Sequence, residues 1–190
     1  LDFMQARNDR ALYVHKTKPL MVGGHVDELV VRGQKSEHDE FWKMVAKQWA
    51  VRSWGFVSEG KPRIHLGKRI SCEKIDGVKW YFMDQEDEVR SFTEDQQLNG
   101  FRYVDSPMST RDELYSDLTL LNDEQKTEQQ SIVGSLQYFA NETRDDIAMA
   151  VNRVATKNAN PTVGARKAAM RIVAYLASTP ERKLKVPGVR

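Results

Sequence analysis

Hydrophobic positions over the first 83 residues come in short runs separated by turn residues, a pattern of strands rather than helices. Residues 1–11 are polar and mixed in charge and read as a leader. Residues 12–17 (LYVHKT) predict a strand, and Lys18-Pro19 a turn, because proline fixes φ and donates no hydrogen bond. A second strand is expected from Leu20 to His25 and a third from Leu29 to Arg32. Val26, Asp27 and Glu28 fall at the turn between them, and Gly33 ends that unit. Ser36 with Asp39 three residues on resembles a capping box with a shorter acid, opening a helix through about Ala50. Phe41, Met44, Val45 and Gln48/Trp49 give that helix its apolar face. Strands are predicted over 54–58, 63–71 and 78–83, with turns at Gly60-Lys61-Pro62 and Asp76-Gly77. Asp-Gly between two strand patterns is a strong hairpin signal.

From Asp84 the pattern turns helical. A helix is expected over 85–98, anchored by Val89, Phe92 and Leu98, then a long connection over 99–123. Three more helices follow at about 124–140, 143–158 and 162–178, the last with Pro161 near its start. Ile172, Val173, Tyr175 and Leu176 are assigned to the core, and core packing is also the expectation for Trp42, Trp49, Trp54 and Trp80. The fold class is α+β: a β-rich region over 1–83 followed by a helical region over 84–190.

Composition narrows the function classes. The 190 residues are 40% hydrophobic and 29% charged, and no apolar run approaches the roughly 20 residues that span a bilayer. The single cysteine, Cys72, can form no internal disulfide, which points to a reducing, intracellular compartment. His15, His25, His38 and His65 show no metal-ligand spacing. The net charge of +2 hides an uneven distribution. Residues 1–83 carry 15 basic and 10 acidic residues, 84–143 carry 4 and 14, and 144–190 carry 10 and 3. Basic ends around an acidic middle are compatible with nucleic-acid contact, but on charge alone a solvated surface whose ends pair with its middle is the preferred reading. The first residue is Leu1 rather than Met, as expected for a processed or partial chain.

The candidate chemistry is the adjacent pair Asp27 and Glu28. Two carboxylates pressed together beside an apolar strand repel unless a cation joins them. Mg²⁺ takes hard oxygen ligands, commonly one or two protein carboxylates with substrate phosphates. Alone, the pair is more readily explained as polar turn chemistry.

Residues 20–33 (LMVGGHVDELVVRG) resemble the catalytic hairpin of copia-type retrotransposon reverse transcriptases, an apolar strand, aromatic-Val-Asp-Asp and a second apolar strand. The resemblance continues in order. Residues 64–67 (IHLG) are similar to that family's Phe-Leu-Gly primer-grip segment. Residues 132–141 (IVGSLQYFAN) and 143–151 (TRDDIAMAV) are similar to its Val-Gly-Ser-Leu-x-Tyr and Thr-Arg-Pro-Asp-Ile-Ala segments. Residues 160–162 (NPT) and 167–176 (KAAMRIVAYL) match its Asn-Pro and Ala-Ala-Lys-Arg-Ile-Leu-Arg-Tyr-Leu segments. Coverage runs from about Leu12 to Lys185.

The resemblance implies a partial palm (antiparallel sheet plus helix) over 1–83 and a helical thumb or connection over 84–190. It makes Asp27 and Glu28 a degenerate metal-binding pair for Mg²⁺, should any activity be retained. It places His65, Gly67, Lys68 and Arg69 near a primer strand, and Arg166, Lys167 and Arg171 in a basic stripe beside an RNA/DNA duplex. Two departures weaken the chemistry. His25 stands where the family has another aromatic, and Glu28 moves a carboxylate out by one bond, about 1.5 Å; an error near 1 Å can cost about 10²-fold in rate. Asp145 replaces the family's proline and suits a helix N-terminus. The fingers, the earlier palm aspartate and the ribonuclease H domain are expected to lie outside these residues. The expectation is therefore a fragment or remnant with no polymerase activity alone, acting as a structural or nucleic-acid-binding subunit. A protein partner is expected at the open palm edge or the acidic 84–130 segment. Two alternatives stay open: part of an active enzyme when joined to the missing pieces, and a decaying element without a role.

Overall fold

The computed structural model describes residues 2–96, 102–109 and 113–188. It is α+β, with two four-stranded antiparallel sheets and five α-helices among the described residues. The chain divides into two compact units, Leu1–Gly55 and Phe56–Arg190. The switch of composition at Asp84 marks a change of secondary structure, whereas the units part some thirty residues earlier.

The first unit is a meander of β1 (Phe3–Gln5), β2 (Leu12–His15), β3 (Met21–His25) and β4 (Glu28–Arg32), paired in that order. The expected leader thus contains a strand: Phe3, Met4 and Gln5 pair with His15, Val14 and Tyr13. Helix α1 (Lys35–Val45) covers one face of the sheet. Leu20, Val22, Phe41 and Val45 are buried there, with Phe3, Val31 and Trp42 packed around them. The helix begins at Gln34 with no side-chain cap, so the proposed Ser36–Asp39 capping box is not formed. It also stops at Val45 rather than Ala50, and Trp49 and Trp54 are exposed rather than core.

The second unit joins a sheet to a helical bundle. Strands β5 (Arg63–His65), β6 (Lys68–Ile75), β7 (Val78–Asp84) and β8 (Leu184–Pro187) pair in order. The single strand expected over 63–71 is split by a hairpin turn at Leu66 (φ 50°) and Gly67 (φ 72°), with His65 opposite Lys68. The same conformation recurs at Asp76 (φ 50°) and Gly77 (φ 79°), where the Asp-Gly signal predicts it. No strand forms over 54–58; only an isolated bridge joins Ser58 and Lys61. Strand β8 went unanticipated, because four residues ending in proline carry almost no periodic signal.

The helices are α2 (Glu86–Asp95), α3 (Asp123–Glu142), α4 (Ala148–Ala155) and α5 (Val163–Ser178). Leu98, expected as an anchor of α2, lies outside the described residues. Asn122 caps α3 in a reciprocal box: its side chain accepts from Gln125 N at 2.9 Å, and the Gln125 side chain accepts from Asn122 N at 3.2 Å. The core is built from Val133, Leu136, Ile147, Val151, Ile172, Val173, Tyr175 and Leu176, all buried as expected for the last four. Helix α5 starts against backbone. Val163 N donates to Thr119 O and Gly164 N to Asp117 O, each at 2.9 Å. A side chain at Gly164 would meet the carbonyl oxygens of Glu113, Leu114 and Asp117 within 2.9 Å, so only glycine allows this approach. No helix among the described residues is long and apolar enough to cross a membrane.

Candidate functional site

The candidate carboxylates sit on the β3–β4 hairpin. Pairing runs from Met21↔Arg32 to His25↔Glu28, so the turn proper is Val26 and Asp27. Glu28 is the first residue of β4, not a turn residue as the spacing implied. Val26 has φ 52° and is 97% exposed. A β-branched residue in the left-handed region is strained, and nothing packs on this one to offset that. Asp27 beside it is exposed.

Consecutive side chains at a strand end leave on different faces, which disfavours Asp27 and Glu28 converging on one ion. Among the described residues no group of three His, Cys, Asp or Glu stands together as a metal site would require. The described residues thus offer Asp27 no such group, and no chemical step is assigned to a metal there.

The remaining candidates belong to the second unit, and the structure engages nearly all of them internally. His65 and Gly67 shape the β5–β6 turn, where a Cβ at Gly67 would lie 3.4 Å from Tyr138 Oη. Lys68 Nζ is ion-paired with Glu142 at the end of α3, and its side chain is 14% exposed. Arg69 is held from three sides. Its Nη2 lies 2.7 Å from both Asp84 Oδ1 and Glu86 Oε2, and its Nη1 3.9 Å from Asp87. Asp84 is fully buried and also accepts from Glu86 N at 3.3 Å. Arg90 donates to the other Glu86 oxygen at 2.8 Å. Hydrogen bonds from Arg90 and Arg69 hold the Glu86 carboxyl below its ordinary range.

The basic stripe on α5 is likewise paired. Arg166 Nη2 lies 2.8 Å from Glu128 on α3. Lys167 faces Asp117 at 4.0 Å, and Arg171 faces Glu113 at 3.9 Å. The acidic middle of the chain thus neutralises both sets of basic candidates, as one of the two charge readings requires. A phosphate at Lys68, Arg69 or Arg166 would compete with a close carboxylate, whereas Lys167 and Arg171 meet theirs only at 4.0 and 3.9 Å.

The strongest polar constellation is one that residue spacing did not single out. Arg144 is 1% exposed. Its Nε and Nη2 donate to Asp146 Oδ1 and Oδ2 at 2.9 and 3.0 Å, a bidentate fork. Nη1 donates to Thr179 O at 3.0 Å and Nη2 also to Thr179 Oγ1 at 2.9 Å. Tyr175 Oη donates to Asp146 Oδ2 at 2.7 Å, and the guanidinium lies 5.6 Å from the Tyr175 ring centre. Burial alone would raise the Asp146 carboxyl, but hydrogen bonds from Arg144 and Tyr175 outweigh it and hold it below its ordinary value. Burial and the Asp146 hydrogen bond push the Tyr175 hydroxyl up. The cluster ties the 3₁₀ turn Asp145–Ile147 to the end of α5. Its signal lay in the string TRDD at 143–146, which already holds Arg144 and its partner Asp146; Thr179 and Tyr175 come to them only through the fold.

No family model matches the chain, and no solved structure matches it significantly. Over 188 residues, 97% of its length, the chain is 23% identical to a Saccharomyces cerevisiae protein that carries the name of the transposon Ty5-1. The chain spans 58% of that relative's length. It is therefore similar, end to end, to a transposon protein.

Proposed function

We propose that the chain is a portion of a copia-type reverse transcriptase, a partial palm followed by a thumb or connection, with no polymerase activity by itself. The observation that supports this reading best is the hairpin. Its two-residue turn presents Asp27 at an exposed apex between apolar strands, inside a chain similar over 188 residues to a transposon protein. The role is structural first. Lys68, Arg69, Arg166, Lys167 and Arg171 each hold a carboxylate, so an RNA/DNA duplex competes with internal ion pairs and binds weakly at ordinary salt. Mg²⁺ at Asp27 would need a further carboxylate from outside the described residues.

A second reading rests on the length comparison: with 58% of the relative's length spanned, the same hairpin could serve an active enzyme once further residues join it. One experiment tests the first. Primer extension with Mg²⁺ is measured with the purified chain, and duplex binding is followed in parallel at low and high salt. We expect no extension and weak, salt-sensitive binding. Extension that disappears in Asp27→Ala overturns the proposal.

A further inference from the structure

Past the end of α1 the first unit leaves large rings in water. Residues 46–55 are all exposed, and they include Trp49 at 59% and Trp54 at 68%. A turn closes on Val45, whose carbonyl oxygen accepts from Gln48 N and Trp49 N, both at 3.0 Å. Beyond it, residues 50–55 form neither helix nor strand. Two exposed indoles so close in sequence mark a surface with binding capacity, because each carries a large apolar face that gains by leaving water.

The cations of the same stretch are a second, independent observation. Residues 41–55 contain no acid, and Lys43, Lys47 and Arg52 form no ion pair among the described residues. Other lysines of this unit are engaged: Lys16 with Asp2, Lys18 with Glu37 and Glu40, and Lys35 with Asp39. Arg52 instead lies over the Trp54 ring, 6.0 Å from its centre. A cation thus already stands beside a ring that remains largely open.

We infer that Trp49 and Trp54, with Lys43, Lys47 and Arg52, form a binding site for single-stranded nucleic acid. Unpaired bases stack on the indoles while the cations meet the phosphates between them. Charge selects a polyanion, and the rings select one that carries a flat π-face with each charge. An acidic peptide supplies the charge without the faces. A duplex hides its base faces in its own stack. An anionic lipid surface calls for a continuous apolar side, as an amphipathic helix gives, and residues 50–55 form no helix. The inference does not rest on the reverse-transcriptase reading, to which none of these five residues contributes.

The test is fluorescence anisotropy, with the full chain titrated into a labelled oligothymidylate of about 16 nucleotides. A duplex of the same length and co-sedimentation with phosphatidylserine vesicles run in parallel, and circular dichroism confirms that each variant is folded. The oligothymidylate should bind more tightly than the duplex. Three phosphate contacts on a single strand predict that log affinity falls with log salt at a slope of about −2, roughly 0.7 for each contact. Trp49→Ala and Trp54→Ala should each weaken single-strand binding about tenfold and leave that slope unchanged. Lys47→Ala or Arg52→Ala should flatten the slope by about 0.7. Absence of single-strand binding overturns the inference. So does equal affinity for the duplex, single-strand binding that survives both tryptophan substitutions, or vesicle binding that those substitutions abolish, which would assign the rings to a lipid surface. None of these outcomes depends on primer extension or Mg²⁺.

Discussion

Replacing Arg144 by alanine removes the most heavily used cation in the second unit. The side chain is 1% exposed and makes four hydrogen bonds, two to Asp146 and two to Thr179. Each is charge-assisted, but they share one group and do not add. The better guide is the cost of breaking a buried ion pair from one side, about 3–5 kcal/mol, because the stranded carboxylate dominates. Two features put Arg144→Ala at the lower end. Asp146 is 21% exposed, and Arg182 lies 3.6 Å away as a substitute cation. A loss of about 3 kcal/mol is a large share of a domain's stability and lowers the melting temperature by roughly 10 °C. Arg144→Lys keeps the charge but not the planar fork, and should lose about half as much. Thermal melts followed by far-ultraviolet circular dichroism report mainly this unit, which holds α2 to α5. If Arg144→Ala melts within a degree or two of the parent, the cluster does not hold α5 to the turn at Asp145, and the reasoning fails.

Asp146 supplies a pH signature. Its folded carboxyl is held below the ordinary value of 3.8, so its contribution is present above that value and fades as pH falls through the lower folded one. Chemical denaturation of the parent and Asp146→Asn should differ most near neutral pH and converge in acid; parallel curves would contradict the assignment. Arg69→Ala leaves fully buried Asp84 with the Glu86 amide alone and should cost about 3–5 kcal/mol in urea titration, not the near-zero change of a free surface cation. Gly164→Ala drives a methyl group into three backbone carbonyls, which should cost about 1–3 kcal/mol; a neutral result would mean that the start of α5 is not fixed as described. Val26→Asn should stabilise the first unit by about 1 kcal/mol, because it relieves φ 52° where the side chain is 97% exposed. Destabilisation there would show that the valine makes a contact of its own.

The parts of the fold that could be read in advance are those set by local chemistry. Asp76-Gly77 suits a tight turn wherever it stands between strand patterns, and it forms one. The long apolar periodicities of α3 and α5 survive because their buried faces are wide. Signals that depend on distant partners were invisible. The run over 63–71 looks continuous because nothing local marks Leu66 as the turn residue that the following Gly67 makes possible. Ser36 and Asp39 have the spacing of a cap, yet α1 starts earlier, at Lys35, with Lys35 Nζ bonded to Asp39 at 2.9 Å instead. Lys18 meanwhile reaches Glu37 at 3.1 Å from the β2–β3 turn. Strand β8 exists only because β7 offers it an edge: Leu184 to Pro187 pair with Met83 to Trp80, across about a hundred residues of chain.

The candidate site divides along the same line. A motif transfers residue types in order, so Asp27 was found at the apex of its hairpin. It does not transfer what surrounds each residue. Lys68 looks like a phosphate contact in sequence because Glu142, its ion-pair partner, is 74 positions away. Arg69, Arg166 and Arg171 look alike for the same reason, since Asp84, Glu128 and Glu113 are brought to them only by packing. The charge profile held the missing information in coarse form: basic flanks around an acidic middle can address nucleic acid or address each other. The predicted cations pair with acids of residues 84–142, which is the arrangement that the second description expects. A polymerase surface needs cations that stay available to a backbone of phosphates. Here they are paired with carboxylates of the unit that carries them, which is the physical ground for proposing a structural role before a catalytic one.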